Sequence, residues 1–454
     1  MFINGVVLAC YTSAPYDDFC VSLSFPLKTC SLASQEKMHH EGACVLLLRM
    51  ALMVMAQQVP CFFIFGDSLS DSGNNNRLLT LARADYPPYG IDFPQGPTGR
   101  FSNGLIAPDV IGKSFLCLPR PCGQNGNPHH HSNFILEPHS VCALNWAIHC
   151  VHYEDGSKGL EISFKRHYCG AAELLGFEDL IPPYSQATPQ MLLKGANFAS
   201  AAAGIREETG RLLGARVPLR GQVEDFHDAA MVIAEILGSE DSAAEHLSKC
   251  IFIVGMGGND YLNNYFVPGL YPSSMQYTPE QYAAELVRSY TQHLTALYKE
   301  GARKVAIFGV GPVGCTPSAL SQHSPDGETC VEAINDAVRS FNSRLPDLVD
   351  HFNARFEGAR FTYINVYAMF DDIHNKPCHY GITVTNVGCC GLGRNNGQIT
   401  CLPFEVPCPN RNEYLFWDAF HPTEAVGIIL GKRCFEAEKP SDAYPIDIRR
   451  LAEI

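Results

Sequence analysis

The stretch 61–76 constrains the fold more than any other part of this chain. Its first half, Cys61-Phe62-Phe63-Ile64-Phe65, is an unbroken apolar, β-leaning run, the pattern of a strand buried on both faces. Its second half, Gly66-Asp67-Ser68-Leu69-Ser70-Asp71-Ser72-Gly73-Asn74-Asn75-Asn76, turns abruptly to residues that favour tight loops. A serine at such a break sits at the carboxyl end of a central strand, where α/β sheets bind ligands. Ser68 is therefore a candidate nucleophile, against the plainer reading of a polar loop that simply leaves a strand.

The same pattern of strand followed by polar loop recurs. Ile251-Phe252-Ile253-Val254-Gly255-Met256 leads into Gly257-Gly258-Asn259-Asp260, and Lys304-Val305-Ala306-Ile307-Phe308 and Phe361-Thr362-Tyr363-Ile364-Asn365-Val366 read as further buried strands. Between them lie helical stretches at about 223–237 and 243–249. A longer helix opens at Thr278-Pro279-Glu280-Gln281, with Thr as N-cap and Pro at the first helical position, and runs to about Leu297. Strands alternating with helices specify an α/β fold with a parallel sheet covered on both faces. Residues 195–205 (Gly-Ala-Asn-Phe-Ala-Ser-Ala-Ala-Ala-Gly-Ile) read as a strand start entering a loop of tiny residues, which lets a backbone approach another group closely. The Pro/Gly-rich loop at 86–104 follows the candidate nucleophile closely enough to wall its pocket.

The chain has 454 residues, 46% of them hydrophobic, ample for a substantial core. Its formal net charge of -14 argues against a nucleic-acid partner, because phosphate backbones demand clustered Lys and Arg. Nineteen cysteines point to an oxidising compartment, and the odd count leaves at least one unpaired in a monomer. Cys378, Cys389, Cys390, Cys401 and Cys408 fall in a Gly/Asn-rich tail that reads as a disulfide-stitched excursion, with Cys315 and Cys330 a further candidate pair.

Two segments stand apart. Residues 38–56 combine an apolar run with a small-residue end at Val54-Met55-Ala56, which fits a secretory signal and is too short and too interrupted by Arg49 for a membrane span. On that reading Met38 is the natural start, and residues 1–37, which lack a helical or strand period, are an upstream extension. Residues 112–169 sustain no period either and read as a non-core insert. If the insert is excised, Asp109-Val110-Ile111 joins Ala171-Ala172-Glu173-Leu174-Leu175-Gly176-Phe177 as one amphipathic helix. Gly112-Lys113-Ser114 is encodable by the common donor sequence GGTAAGT, which suits an unspliced intron. The histidines and cysteines of the insert have no regular ligand spacing, so a zinc site is not expected. Gly309-Val310-Gly311-Pro312-Val313-Gly314 matches a dinucleotide fingerprint in letters only, since a proline interrupts it and no clear helix follows.

The remaining chemistry lies near the end, in Asp418-Ala419-Phe420-His421. Three residues apart, the carboxylate and imidazole project to the same side if they share one helical turn. The carboxylate then fixes the imidazole tautomer and stabilises its cation. With Ser68 they supply nucleophile, base and orienter. Donors for an oxyanion are offered by the Asn259 side chain, the Ser68 backbone N–H and an N–H of the small-residue loop.

Gly66-Asp67-Ser68-Leu69, the 195–204 block, Gly257-Gly258-Asn259-Asp260 and Asp418-x-x-His421, in that order, resemble the plant branch of the GDSL esterase/lipase family of SGNH hydrolases. The resemblance runs from about Gln57 to the C-terminus, outside the insert. It implies a three-layer α/β/α, flavodoxin-like fold over 57–454 and a secreted, extracellular or cell-wall location. It further implies Ser68 as nucleophile, His421 as general base then acid, Asp418 as orienter and Asn259 as oxyanion donor. The expected substrate is a small-molecule or lipid ester, or an acetylated polysaccharide. No metal or organic cofactor is needed, and a monomer is expected. One departure is that the family's second block supplies a glycine N–H, whereas Ala201-Ala202-Ala203 precede Gly204 here. A backbone donor survives that change where φ is negative, and Ala202 and Gly204 are both candidates. Alternative readings are a catalytically silent secreted binding protein and a cell-wall polysaccharide deacetylase.

Overall fold

The computed structural model describes residues 57–112 and 174–454, together with the backbone of three short strands nearer the start, Phe2–Ile3, Val6–Tyr11 and Phe19–Ser24. The chain forms two compact units, Met1–Ala56 and Gln57–Ile454. In the first, the three strands pair antiparallel, where the sequence shows no strand period. The signal-like segment 38–56 lies outside the described residues, as does the insert beyond Gly112 and its histidine cluster.

The second unit is built on one sheet. β1 (Phe62–Gly66), β2 (Ile251–Gly255), β3 (Lys304–Phe308) and β4 (Arg360–Ile364) run parallel in that spatial order, and β5 (Ala443–Tyr444) closes the edge antiparallel to β4. Alternate side chains leave opposite faces of a strand. Phe63, Phe65, Phe252, Val254, Val305 and Ile307 therefore enter one core, while Phe62, Ile64, Ile251, Ile253 and Ala306 enter the other. Both faces are apolar, so helices must cover both. Helices α2 (Leu219–Leu237), α3 (Pro279–Lys299), α4 (Glu332–Asn342) and α5 (Leu345–Arg355) take the first face. Helices α1 (Ala107–Gly112), α6 (Val366–Asn375), α7 (Glu424–Phe435) and α8 (Ile448–Glu453) take the second. The expected α3 start is present as a full capping box: Thr278 accepts from Gln281 N–H and the Gln281 side chain accepts from Thr278 N–H.

On the free side of β1, residues 195–200 run alongside it in parallel. Ile64 N–H donates to Ala196 O, Phe198 N–H to Ile64 O, and Ser200 N–H to Gly66 O. This segment is second in the chain yet lies outside β1, so the order reads 2-1-3-4-5, the flavodoxin-like winding with its reversal at β1. The register Gly66↔Gly255↔Phe308↔Ile364 brings the strands' carboxyl ends level. The loops carrying Ser68 and Asn259 thus open on one edge, at the reversal.

Four disulfides are described. Cys61–Cys250 ties the residues just before β1 and β2, Cys315–Cys330 pairs as the sequence suggests, and Cys389–Cys408 with Cys390–Cys401 stitch the tail. Cys378 is an exposed thiol and Cys434 a buried one. The groupings of cysteine with His246, His374 or Glu405 that have metal-like proximity all use sulfurs already in these disulfides, so no thiolate pair is free there. The Gly309–Gly314 motif ends in a 3-10 turn at Val313–Cys315, and, contrary to the sequence reading, a Thr316-capped helix, Pro317–His323, follows it; the proline inside the motif still sets it apart from a dinucleotide fingerprint. No described helix is long and apolar enough to cross a membrane.

The continuous helix running from 109 into 171–177 is expected only for a chain without the insert, and this chain carries it. α1 ends at Gly112, and on the returning side Leu175 lies in a bend and Gly176 has φ 82°. Leu175 N–H and Phe177 N–H donate to Ile111 O and Gly112 O. The returning chain satisfies carbonyls that a further helical turn would have used.

Candidate active site

Gly66 ends β1 where its neighbour comes close: a Cβ there would lie 2.9 Å from Gly255 O. The buried Gln222 of α2 reads both Gly66 backbone groups, accepting from its N–H at 3.0 Å and donating to its O at 2.8 Å. The next turn is closed by Asp67, whose carbonyl accepts from Ser70 and Asp71 N–H and whose carboxylate accepts from Leu69 N–H. Ser68 is left half-exposed at the turn's apex.

Ser68 Oγ lies 2.7 Å from His421 Nε2, and His421 Nδ1 lies 2.8 Å from both carboxylate oxygens of Asp418. The three groups sit on two loops that are 353 residues apart in sequence. Asp418 and His421 do not share a helical turn, because α7 starts only at Glu424. Instead Asp418 Oδ1 accepts from the Phe420 and His421 N–H groups at 2.8 Å, an Asx-type turn that folds the carboxylate under the imidazole. Phe101 packs on the His421 ring at 4.8 Å between centroids.

Asp418 is fully buried. Burial alone would raise its pKa, but the His421 charge, with hydrogen bonds from His421, Tyr89 and the Phe420 N–H, outweighs it and holds the carboxyl below the usual range. The Tyr89 hydroxyl donates to Asp418 Oδ2 at 2.6 Å. Burial, and then the adjacent Asp418 charge, keep Tyr89 protonated by pushing its pKa well up. Tyr89 lies in the loop read from sequence as a pocket wall. Nothing local in the sequence marks it as the second partner of Asp418. Tyr89→Phe keeps the ring and removes the donor. It is expected to lower kcat on a soluble ester by roughly tenfold, the scale of one charge-assisted hydrogen bond. Because Asp418 then protonates more readily, loss of activity on acidification should begin at higher pH in the variant, a shift that packing alone would not cause.

The two remaining loops are fixed by buried aspartates. Asp71 accepts from Gly73 and Asn74 N–H through one oxygen and from Ala201 N–H through the other. Asp260 accepts from Ile205 N–H, Arg206 N–H and the Thr209 hydroxyl. Burial pushes the pKa of each, and of Asp67, up to about 6. The Asn259 amide nitrogen donates to Ala203 O at 2.9 Å, and its oxygen accepts from Asn263. That leaves its second N–H for a ligand.

Ala202 has φ 63°, so the condition of a negative φ, under which an alanine replaces glycine here without strain, is not met. The Ser200–Ala203 turn and the anchoring of Ala201 on Asp71 hold it in the left-handed region at a cost of about 1 kcal/mol. Among the described residues neither the Ala202 nor the Gly204 N–H has a hydrogen-bond partner. A Cβ at Gly204 would meet Thr209 at 2.4 Å and Asp260 Oδ1 at 2.7 Å, so this glycine is required by packing under Asp260. Ala202→Gly is expected to stabilise the fold by about 1 kcal/mol, read as a later urea midpoint, with activity retained.

Residues 165–433 match the family model for GDSL-like lipase/acylhydrolase. The chain is 49% identical to the GDSL esterase/lipase At4g18970 of Arabidopsis thaliana, a match covering 90% of this chain and 99% of that one. It is 48% identical to At5g45670 of the same plant over 89% and 99%, and 49% identical to At1g29660 over 90% and 96%. The chain belongs to the plant-type GDSL esterase/lipase family. It is a carboxylic ester hydrolase with an α/β fold. The family model's match begins after Ser68, whereas a match over nine-tenths of the chain takes in the loop that carries it.

Proposed function

We propose that this GDSL-family hydrolase is a secreted serine esterase/lipase that cleaves carboxylic esters through an acyl-enzyme on Ser68. The observation that carries the reading is the continuous relay from Ser68 Oγ through His421 to the buried Asp418. His421 Nε2 takes the Ser68 proton as the oxygen attacks the ester carbonyl, and Asp418 stabilises the resulting imidazolium. The tetrahedral oxyanion receives N–H donors from Asn259, the Ser68 backbone and the strained Ala202, with Gly204 the alternative to Ala202. His421 returns its proton to the leaving alkoxide. Water, deprotonated by the same imidazole, then releases the acid. Ser68, Asp418 and His421 are the catalytic residues of this reading, and no metal or organic cofactor enters any step. The four disulfides support an oxidising, extracellular destination.

Hydrolysis of a short-chain chromogenic ester by the wild type and by Ser68→Ala tests the reading. Equal rates would overturn it in favour of a silent binding protein. Running acetylated xylan beside esters of increasing acyl length distinguishes lipid from polysaccharide substrates.

A further inference from the structure

We infer that two protruding apolar loops beside the active site dock the enzyme on the surface of a neutral lipid phase. The first is Leu402-Pro403-Phe404-Glu405-Val406-Pro407. Phe404 is 80% exposed and Val406 90%, with Leu402 also exposed. The loop is rigid: Cys390–Cys401 and Cys389–Cys408 clamp its two ends, two prolines stiffen it, and the Glu405 carboxylate accepts from Gly391 and Leu402 N–H. Phe404 sits at φ 65°, a left-handed conformation that disfavours any side chain, yet it carries a large apolar one held in water. An outlier of this kind points to a use for the side chain.

The second loop presents Leu79 at 91% and Leu81 at 81% exposure. It is held as a strand-like ribbon by Leu81 N–H to Leu213 O and Ala215 N–H to Leu79 O. Residues two apart on such a ribbon share a face. Each loop is coupled to the site. Phe404 N–H donates to Pro87 O, in the loop whose Tyr89 holds Asp418, and the Asn75 amide bridges Ala82 O and Ala201 O beside Ala202.

Side chains exposed to this degree rest on little of the protein's own surface. They suit a fluid phase that closes around them. The net charge of -14 repels anionic bilayers, so insertion must be driven by apolar burial rather than by headgroup attraction. The inference rests on the reading that esters are cleaved at Ser68, because a lipid phase is where apolar esters gather.

The test measures co-flotation of the full chain with phosphatidylcholine vesicles. Wild type is expected to float, as is Ser68→Ala, which separates docking from catalysis. Phe404→Ser with Val406→Ser should cut the floating fraction at least tenfold, and cut hydrolysis of an emulsified long-chain ester similarly, with the rate on a soluble short-chain ester unchanged. Phe404→Gly should show weaker flotation together with a higher melting temperature, so that the loss cannot come from unfolding. Wild-type binding only to anionic vesicles, no flotation of the wild type, or flotation of the double variant equal to wild type would each overturn the proposal.

Discussion

Ser68→Ala is expected to lower kcat for a short-chain ester by at least about a thousandfold while leaving the fold intact. Ser68 is half-exposed, and its hydroxyl hydrogen-bonds only to His421 among the described groups, so removing Oγ creates no buried unsatisfied partner beyond that ring nitrogen. The turn that presents it is closed by Asp67 and Gln222, not by its own side chain. Circular dichroism and melting temperature should therefore match the wild type. KM should change little, because binding of the acyl group does not use Oγ until it attacks. Residual activity would report the oxyanion donors acting on water. A variant that retained more than a tenth of wild-type kcat would remove Ser68 from the mechanism.

Asp418→Asn should cost about four orders of magnitude in kcat. Two backbone N–H groups, from Phe420 and His421, point at Oδ1 and will hold the amide oxygen there. The amide NH2 then occupies the Oδ2 position, facing Nδ1 as a donor. That moves the imidazole proton to Nε2, which would donate to Ser68 instead of accepting from it. The charge that stabilises the imidazolium disappears at the same time. Stability shows the same group from another side. A folded-state carboxyl pKa below the unfolded value means the ionised form stabilises the fold at neutral pH, and that share is lost as pH falls through the depressed value. The difference in urea midpoint between the wild type and Asp418→Asn should accordingly narrow on acidification. Stopped assays across pH and parallel urea titrations measure both effects.

The buried strands, the α3 cap and the position of Ser68 were legible because each rests on a local pattern: an apolar run, a capping box, a break into Gly and Asp. The pairing of Asp418 with His421 was legible as spacing, although a side chain accepting backbone N–H groups achieves it rather than a helical turn. What stayed hidden depends on distant partners. Cys61 and Cys250 are 189 residues apart, and Tyr89 meets Asp418 across 329. Gln222 lies among the polar residues of an amphipathic helix, and only the close packing of α2 on the end of β1 brings its amide to Gly66. The sign of φ at Ala202 likewise follows from tertiary anchoring by Asp71, which overrides the preference of alanine.

The junction after α1 carries a consequence for how this lineage can vary. Ile111 and Gly112 are met directly by Leu175 and Phe177, so the residues that bracket segment 113–173 are held together in one hydrogen-bonded doorway. Closing a longer loop costs only the logarithm of its length, about 0.6 kcal/mol per doubling. Whatever the length of chain between those residues, the end of α1 is already sealed by their hydrogen bonds. Such a doorway is a place where a change in chain length is expected to cost little stability.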